Sequence, residues 1–213
     1  MMREDGVVEA HGVAHDLSAG DLDHAAWEDA RPVGIARLWS GEDAPPARHA
    51  ESRLLWTADA LLVRFVCRQE EPLIVNAAPE VHRKTIGLWD RDVCELFVAP
   101  HAHAPQRYFE FEVAPTGEWL DLALEKTAGG RVTDWDYSSG MTVAARAGEG
   151  QLTLAMRVPF AALGRKPARN DVWRANLYRC VGAGWSRYLA WLPTYTPEPN
   201  FHVPEKFGRL KFT

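Results

Sequence analysis

The chain has 213 residues, of which 46% are hydrophobic and 25% charged, and its formal net charge is −5. This length fits one β-rich domain, and the composition excludes disordered, collagen-like and coiled-coil chains. The chain has 24 Lys and Arg residues against 29 Asp and Glu residues and no basic block, which argues against nucleic acid as a partner.

The sequence carries no pattern for membrane insertion or export. No apolar run approaches the roughly 18 residues that a membrane-spanning helix needs. Residues 1–20 are polar and acidic, without the basic start and apolar segment of a signal peptide. The sequence therefore predicts a cytoplasmic protein without a membrane partner, or an extracellular one only if the N-terminus is incomplete.

Short strands, separated by turns that contain Pro, Gly or Asp, make up most of the chain. Residues 1–15 lack periodicity and are predicted to form a flexible N-terminal segment, whereas residues 16–213 are predicted to form a single domain. Strands are predicted, in chain order, over residues 33–40, 53–56, 61–68, 93–99, 107–114, 118–124, 151–158, 172–181, 187–192 and 207–212. Residues 159–164 are typical of one helical turn closed by glycine. The pattern predicts an all-β fold, an antiparallel β-sandwich of jelly-roll type with one short helical turn.

Acidic side chains alternate with apolar ones along two neighbouring predicted strands. Glu95 points away from Cys94 and its apolar neighbours, because successive side chains of a strand point to opposite faces. Glu110 and Glu112 alternate in the same way with the apolar residues of the next strand. The pattern allows the three carboxylates to share one face. The alternative is an ordinary solvated face, on which they pair with arginines.

Carboxylates grouped beside an aromatic residue suit two kinds of sugar chemistry. A glycosidase needs a carboxylic acid and a carboxylate at a defined separation, which sequence spacing does not measure. Acceptors for sugar hydroxyls need no such tuning. Trp89, at the end of a long loop over residues 69–90, supplies the aromatic surface. We therefore expect binding in preference to hydrolysis, with Glu95 and either Glu110 or Asp92 as the pair in the enzymatic alternative.

A second group of aromatic and polar residues lies between residues 173 and 191. Asn176 and Arg179 supply directional hydrogen-bond donors, and Trp191 precedes a proline-rich loop. Sugar rings stack their C–H faces on indoles and direct their hydroxyls to planar polar groups, so this mixture suits a saccharide site. The alternative is that Trp173 and Trp191 only pack in the core.

Metal and nucleophile patterns are weak in this sequence. A single histidine such as His202 is more often structural than a ligand, and His101 with His103 lacks a third ligand. The acidic pairs Asp134/Asp136 and Asp21/Asp23 offer oxygens to calcium without the ligand run of an EF-hand. The three cysteines are predicted to be buried free thiols: Cys67, Cys94 and Cys180. Calcium is thus possible, and the metal-binding state is otherwise undefined.

The order and spacing of several short motifs resemble the family 9 carbohydrate-binding modules and their wider DOMON relatives. The resemblance extends from about residue 16 to the C-terminus. The motifs are Trp27-Glu28-Asp29-Ala30, Trp89-x-x-Asp92-x-x-Glu95-Leu96-Phe97-Val98, Tyr108-Phe109-Glu110-Phe111-Glu112-Val113, Val158-Pro159-Phe160-x-x-Leu163-Gly164, Trp173-Arg174-x-Asn176-x-x-Arg179, Trp191, and Phe201-His202-x-Pro204-Glu205-x-Phe207-Gly208.

The resemblance implies a non-catalytic domain that binds a mono- or oligosaccharide. A terminal sugar is expected between two tryptophans, Trp89 and either Trp191 or Trp185, within a polar rim. The rim residues implied by the motifs are Glu95, Asn176, Arg179, Glu110, Tyr108 and His202. No cofactor is expected other than possible calcium, whose family ligands have no match in this chain.

A DOMON-like haem domain is the remaining alternative. It would need Met156 or Met141 with a histidine as axial ligands. Met156 is in phase with the apolar residues of its predicted strand, which favours a place in the core.

Overall fold

The computed structural model describes residues 6–213 and is built almost entirely of strands. The strands are β1 (Val7–Gly12), β2 (Val33–Ile35), β3 (Arg37–Leu38), β4 (Ala50–Trp56), β5 (Ala60–Arg68), β6 (Val93–Ala99), β7 (Arg107–Val113), β8 (Trp119–Thr127), β9 (Gly130–Asp134), β10 (Thr142–Gly148), β11 (Gln151–Pro159), β12 (Val172–Cys180), β13 (Tyr188–Ala190) and β14 (Gly208–Phe212). One α-helix, α1 (Ala26–Asp29), and several single 3₁₀ turns accompany them. No helix in the described part of the chain is long and apolar enough to cross a membrane.

The strands form one continuous sheet that folds over itself into two layers. Its order is β10-β11-β5-β4-β1-β14-β12-β6-β7-β8-β9. Cys67 in β5 and Cys94 in β6 belong to strands far apart in this order, yet their sulfurs lie 3.4 Å apart in the buried interface. The two halves of the sheet therefore face each other and enclose the core, which confirms the predicted β-sandwich. The three cysteines are free and buried, as predicted.

Strand β1 qualifies one of the sequence predictions and corrects another. It runs parallel to both β14 and β4, so the sheet of the predicted antiparallel sandwich is mixed at this strand. It also occupies residues 7–12, which we had assigned to a flexible N-terminal segment; residues 1–5 of that segment lie outside the described residues. The strand joins the two halves of the sheet, and this long-range pairing stabilises a segment with little pattern of its own.

Two short helical segments bear on the predictions. The predicted turn is confirmed as a 3₁₀ helix over Phe160–Leu163, closed by Gly164 with φ +68°. Helix α1 was not predicted, because its four residues are too few to show a helical period. Its buried Trp27 packs with Leu55 and Leu62 in a small cluster beside the main core.

Gly208 marks a close approach between β14 and the chain after β13. A Cβ atom added at Gly208 would lie 2.6 Å from both the Trp191 ring and Leu192 Cδ1. We expect Gly208→Ala to lower the free energy of unfolding by about 1–3 kcal/mol, because the packed neighbours must move. Urea denaturation measures this. The matched control is Gly34→Ala in β2, where no atom lies within 4 Å of the added Cβ; equal losses in the two variants would contradict the packing argument.

Candidate functional site

A cavity of about 350 Å³ opens on the face of the β12-β6-β7-β8-β9 layer that points away from the core between the layers. Cys94 faces that core, so its neighbour Glu95 points to the opposite face. Trp89 and Trp135 border the cavity, and Glu95, Glu110 and His202 line it further. Four of the residues predicted for the site, Trp89, Glu95, Glu110 and His202, therefore lie together.

Trp89 is held in place by the end of the long loop before β6. Gly87 has φ +82°, a left-handed conformation that favours glycine, and it starts the 3₁₀ turn Leu88–Asp90. Leu88 is fully buried and anchors the turn, whereas Trp89 is half-buried and packs against the main core. The indole is thus held by core packing while the residue still borders the cavity.

Asp92 connects the long loop to the segment that follows β12. Its carboxylate accepts hydrogen bonds from the backbone N–H of Gly182 at 2.9 Å and of Ile74 at 3.2 Å. Burial raises the pKa of the Asp92 carboxyl, and these two backbone donors oppose that rise. Asp92 does not line the cavity, so its contacts point to a role in loop structure and not to the acid–base role of the enzymatic alternative.

Trp135 forms the second aromatic wall. It follows β9 in a turn where Asp134 Oδ1 accepts the backbone N–H groups of Asp136 and Tyr137, at 3.0 and 3.1 Å. Its side chain is 48% exposed, and its ring centroid lies 6.4 Å from that of Trp89 with an interplanar angle of 46°. The two indoles thus form an open corner on one side of the cavity.

Three buried carboxyl groups lie beneath the cavity. The register pairs Glu95 with Glu112 across β6 and β7, and one oxygen of each of Glu95, Glu110 and Glu112 lies within 4.8 Å of the others. All three side chains are buried, with Glu112 at 0% exposure. The prediction that these carboxylates share one face is confirmed. The alternative of an ordinary solvated face is wrong, because loops cover this part of the sheet.

The electrostatics of this cluster follow from its burial. Desolvation, and then repulsion from Glu110, raises the pKa of Glu95 to about 8. Desolvation raises the pKa of Glu110 to about 7. Burial together with Glu95 and Glu110 raises the pKa of Glu112 well above its usual value. The cluster therefore resists full ionisation unless positive charge enters it.

His202 and Tyr108 form a pair at the wall of the cavity. His202 Nδ1 lies 3.0 Å from the Tyr108 hydroxyl, and both rings pack against Phe97. Burial lowers the pKa of His202 to about 3, so the imidazole is neutral at ordinary pH. Tyr108 is buried behind His202 and does not itself line the cavity. It fixes the imidazole in place.

Asn176 lies under the cavity and organises its wall. It is fully buried, and its amide donates to the Tyr178 hydroxyl and to the Leu192 carbonyl, both at 2.8 Å. The Tyr178 hydroxyl in turn donates to the Phe201 carbonyl, and the two rings stack at 3.9 Å. Asn176 thus positions the loop that carries Asn200 and His202.

Two other predicted residues lie away from the cavity. Trp191 is 2% exposed and packs in the core beside Gly208. Arg179 is also 2% exposed and points to the opposite face of β12, where it donates to the backbone carbonyls of Arg48, His49 and Arg68. The alternative platform, Trp185, is 63% exposed and lies in a separate groove that shares Tyr188 with the cavity.

The positions of the proposed axial ligands do not support the haem alternative. Met156 and Met141 are both buried in the main hydrophobic core and do not line the cavity.

The cavity-lining residues that the sequence analysis does not single out include Trp135, Arg131 and Asn200. Trp135 lies between Asp134 and Asp136 in a turn, where a core residue is unusual. This position is the sequence signal that indicates an exposed, functional tryptophan. Asn200 follows a proline in an irregular loop, and Arg131 belongs to a short exposed strand. Only the folded chain brings these segments to the same cavity.

A sequence model of carbohydrate-binding family 9 matches residues 32–212 of the chain. No curated protein matches the chain significantly in sequence.

Solved structures share the fold at low sequence identity. A candidate carbohydrate-binding protein from Bacteroides uniformis ATCC 8492 superposes with a TM-score of 0.77 at 19% identity, covering 97% of this chain and 99% of the other. A family 9 carbohydrate-binding module from Caldicellulosiruptor kristjanssonii, in complex with glucose, gives a TM-score of 0.67 at 12% identity, with 97% and 95% coverage. A module of the same family and organism in complex with cellotriose gives 0.61 at 13% identity, with 97% and 93% coverage.

Proposed function

Because the chain belongs to carbohydrate-binding family 9, we propose that it is a non-catalytic domain that binds a mono- or oligosaccharide in the cavity at Trp89. The observation that carries this proposal is the cavity itself, which combines two indoles with buried carboxyl groups on one open face. The fold neighbours in complex with glucose and cellotriose support a sugar of this class as the ligand.

Trp89 and Trp135 provide the apolar part of the proposed site. The C–H face of a pyranose is flat and apolar, and it gains most against a rigid aromatic ring that is already desolvated on its other side. Trp89 meets this condition because it packs against the core. Trp135 stands at an angle to it and covers a neighbouring part of the sugar. In this proposal Trp135 takes the second position that the sequence assigned to Trp191 or Trp185.

The polar part of the proposed site consists of acceptors at the floor and donors at the rim. Glu95 and Glu110 offer carboxyl oxygens to sugar hydroxyls, while the neutral imidazole of His202 and the amide of Asn200 add directional contacts. Arg131 brings a guanidinium to the same cavity. Tyr108 and Asn176 support the site without contacting the sugar. Tyr108 hydrogen-bonds with His202, and Asn176 hydrogen-bonds with Tyr178.

The direct test is a titration of the purified protein with glucose and cellotriose, followed by tryptophan fluorescence and calorimetry. We expect saturable 1:1 binding with a dissociation constant in roughly the millimolar to micromolar range. The matched control is Trp185→Phe, which changes the most exposed tryptophan outside the cavity and is expected to bind as the wild type does. Folded protein that shows neither heat nor a fluorescence change with either sugar would refute the proposal.

Trp135→Ala is expected to weaken sugar binding without abolishing it. One aromatic wall is lost while Trp89 and the carboxyl floor remain, so we expect a roughly tenfold higher dissociation constant, about 1.4 kcal/mol. Calorimetry measures this, and circular dichroism checks the fold. An unchanged dissociation constant would place the sugar away from this corner of the cavity.

A further inference from the structure

We propose that Glu95, Glu110 and Glu112 bind one divalent cation of the oxygen-ligand class, for which calcium is the best fit. The cation would lie between β6 and β7, at the floor of the cavity. The site is defined by the three carboxylates alone. Only its position next to a bound sugar rests on the proposed function.

The separation of the three carboxyl groups suits calcium. One oxygen from each lies within 4.8 Å of the other two. Calcium binds oxygens at about 2.3–2.6 Å, so ligands on opposite sides of the ion are about 4.6–5.2 Å apart. Three carboxylates can supply up to six oxygens, and the open cavity supplies room for water or hydroxyl groups at the remaining positions.

Unpaired buried oxygens are the second observation that points to a ligand. Both oxygens of Glu112 and Oε2 of Glu110 are buried, and among the described residues they find no hydrogen-bond partner except through a proton shared between these two carboxyl groups. In the described chain no Lys or Arg forms an ion pair with any of the three carboxylates. Buried polar groups are nearly always satisfied, because an unpaired carboxylate loses its hydration without compensation. A cation among these oxygens would satisfy all of them at once.

The cavity gives the cation a route to this site. Glu95 and Glu110 line the cavity, although only 2% and 3% of their surface is exposed, whereas Glu112 lies behind them and does not line the cavity. Glu112 is therefore the ligand that can be changed with the least effect on a direct sugar contact. The Sγ of Cys180 lies 3.3 Å from Glu95 Oε1, which holds that carboxylate in position.

The test is calcium binding by the chelator-treated protein, with calcium chloride alone as the titrant. We expect saturable binding of one calcium ion per chain, and a roughly tenfold or greater loss of affinity in Glu112→Gln. The matched control is Glu125→Gln, which changes a partly buried carboxylate of the adjacent strand β8 that pairs with Arg107 and lies outside the cluster. The melting temperature of the wild type, which needs no variant, is expected to rise by about 5 °C or more at a hundredfold excess of calcium over its dissociation constant.

Two results would overturn the inference. One is the absence of saturable calcium binding and of any shift in melting temperature in the wild type, which would mean that protons balance the three carboxylates. The other is equal calcium affinity in Glu112→Gln and in the wild type. A sugar titration of the same samples separates this inference from the proposed function: sugar binding without calcium binding refutes only the cation site, and calcium binding without sugar binding refutes only the sugar site.

Discussion

Trp89→Ala is expected to raise the dissociation constant for glucose or cellotriose at least about a hundredfold, equivalent to about 2.7 kcal/mol. Of the two indoles that border the cavity, Trp89 is the one that packs against the core, so a sugar stacks on it at little entropic cost. Buried or half-buried tryptophans at the centre of a binding site are the residues whose truncation costs most. From a millimolar to micromolar starting affinity, this loss removes most measurable binding.

The measurement is calorimetry on wild type, Trp89→Ala and Trp185→Ala under the same conditions. Trp185→Ala removes a tryptophan of similar size from the neighbouring groove and is expected to keep wild-type affinity. Trp89 also packs against the core, so thermal melting must show that the variant is folded before its affinity is compared. Wild-type affinity in folded Trp89→Ala would contradict the site.

Arg179→Met is expected to lower the free energy of unfolding by about 3–5 kcal/mol. The guanidinium donates to three backbone carbonyls, Arg48 and Arg68 at 2.7 and 2.8 Å and His49 at 3.2 Å, and to the Gln69 side chain at 2.6 Å. Methionine fills part of the same space but removes the donor from the Arg48 and Arg68 carbonyls and from the Gln69 side chain, while the His49 carbonyl keeps the Arg68 backbone N–H. Each buried acceptor that loses its donor costs its desolvation. Few single surface changes have effects of this size.

Urea denaturation measures the change, and Arg209→Met on the exposed side of β14 is the control, with an expected change within about 0.5 kcal/mol. The sequence motif predicts that Arg179 contacts the ligand, whereas its buried position in the fold indicates a structural role. Below the unfolding transition we therefore expect Arg179→Met to bind sugar with wild-type affinity. Loss of affinity in the folded variant, with stability retained, would restore the ligand role.

Alternation of side chains made the central sheet predictable. In β7 apolar and acidic residues alternate, and in β6 Glu95 stands between apolar neighbours, so the shared face of the three glutamates follows from the sequence. Strand β1 has no such pattern, since it depends on two parallel partners that are distant in sequence. Strands β9 and β10 are largely exposed and rich in small or polar residues, so neither carries a periodic apolar signal.

The burial of the three carboxyl groups could not be predicted from the strand pattern alone. Alternation places Glu95, Glu110 and Glu112 on the face away from the core, where solvent is the ordinary neighbour. In the folded chain that face is covered by the Trp89 loop on one side and by the loop that carries His202 on the other. Burial of a strand's outer face depends on loops, and loop paths leave little trace in the periodicity of a strand.

The residues of the candidate site likewise divide into those that the sequence motifs predict and those that depend on the fold. Trp89, Glu95 and Glu110 belong to strands or to the turn before one, and the motif spacing assigns them together. Trp191 and Arg179 share the second motif with Asn176, but alternation along β12 and the packing of β14 direct both away from the cavity. Trp135 enters the cavity from the turn after β9, a strand that the sequence did not predict.

The most direct test of sugar recognition is a crystal structure of the protein with cellotriose bound. We predict a pyranose ring stacked on Trp89, next to Trp135, with at least one hydroxyl within hydrogen-bond distance of Glu95 or Glu110. A sugar bound only in the groove of Trp185, with no sugar in the cavity at Trp89, would contradict the proposed binding site.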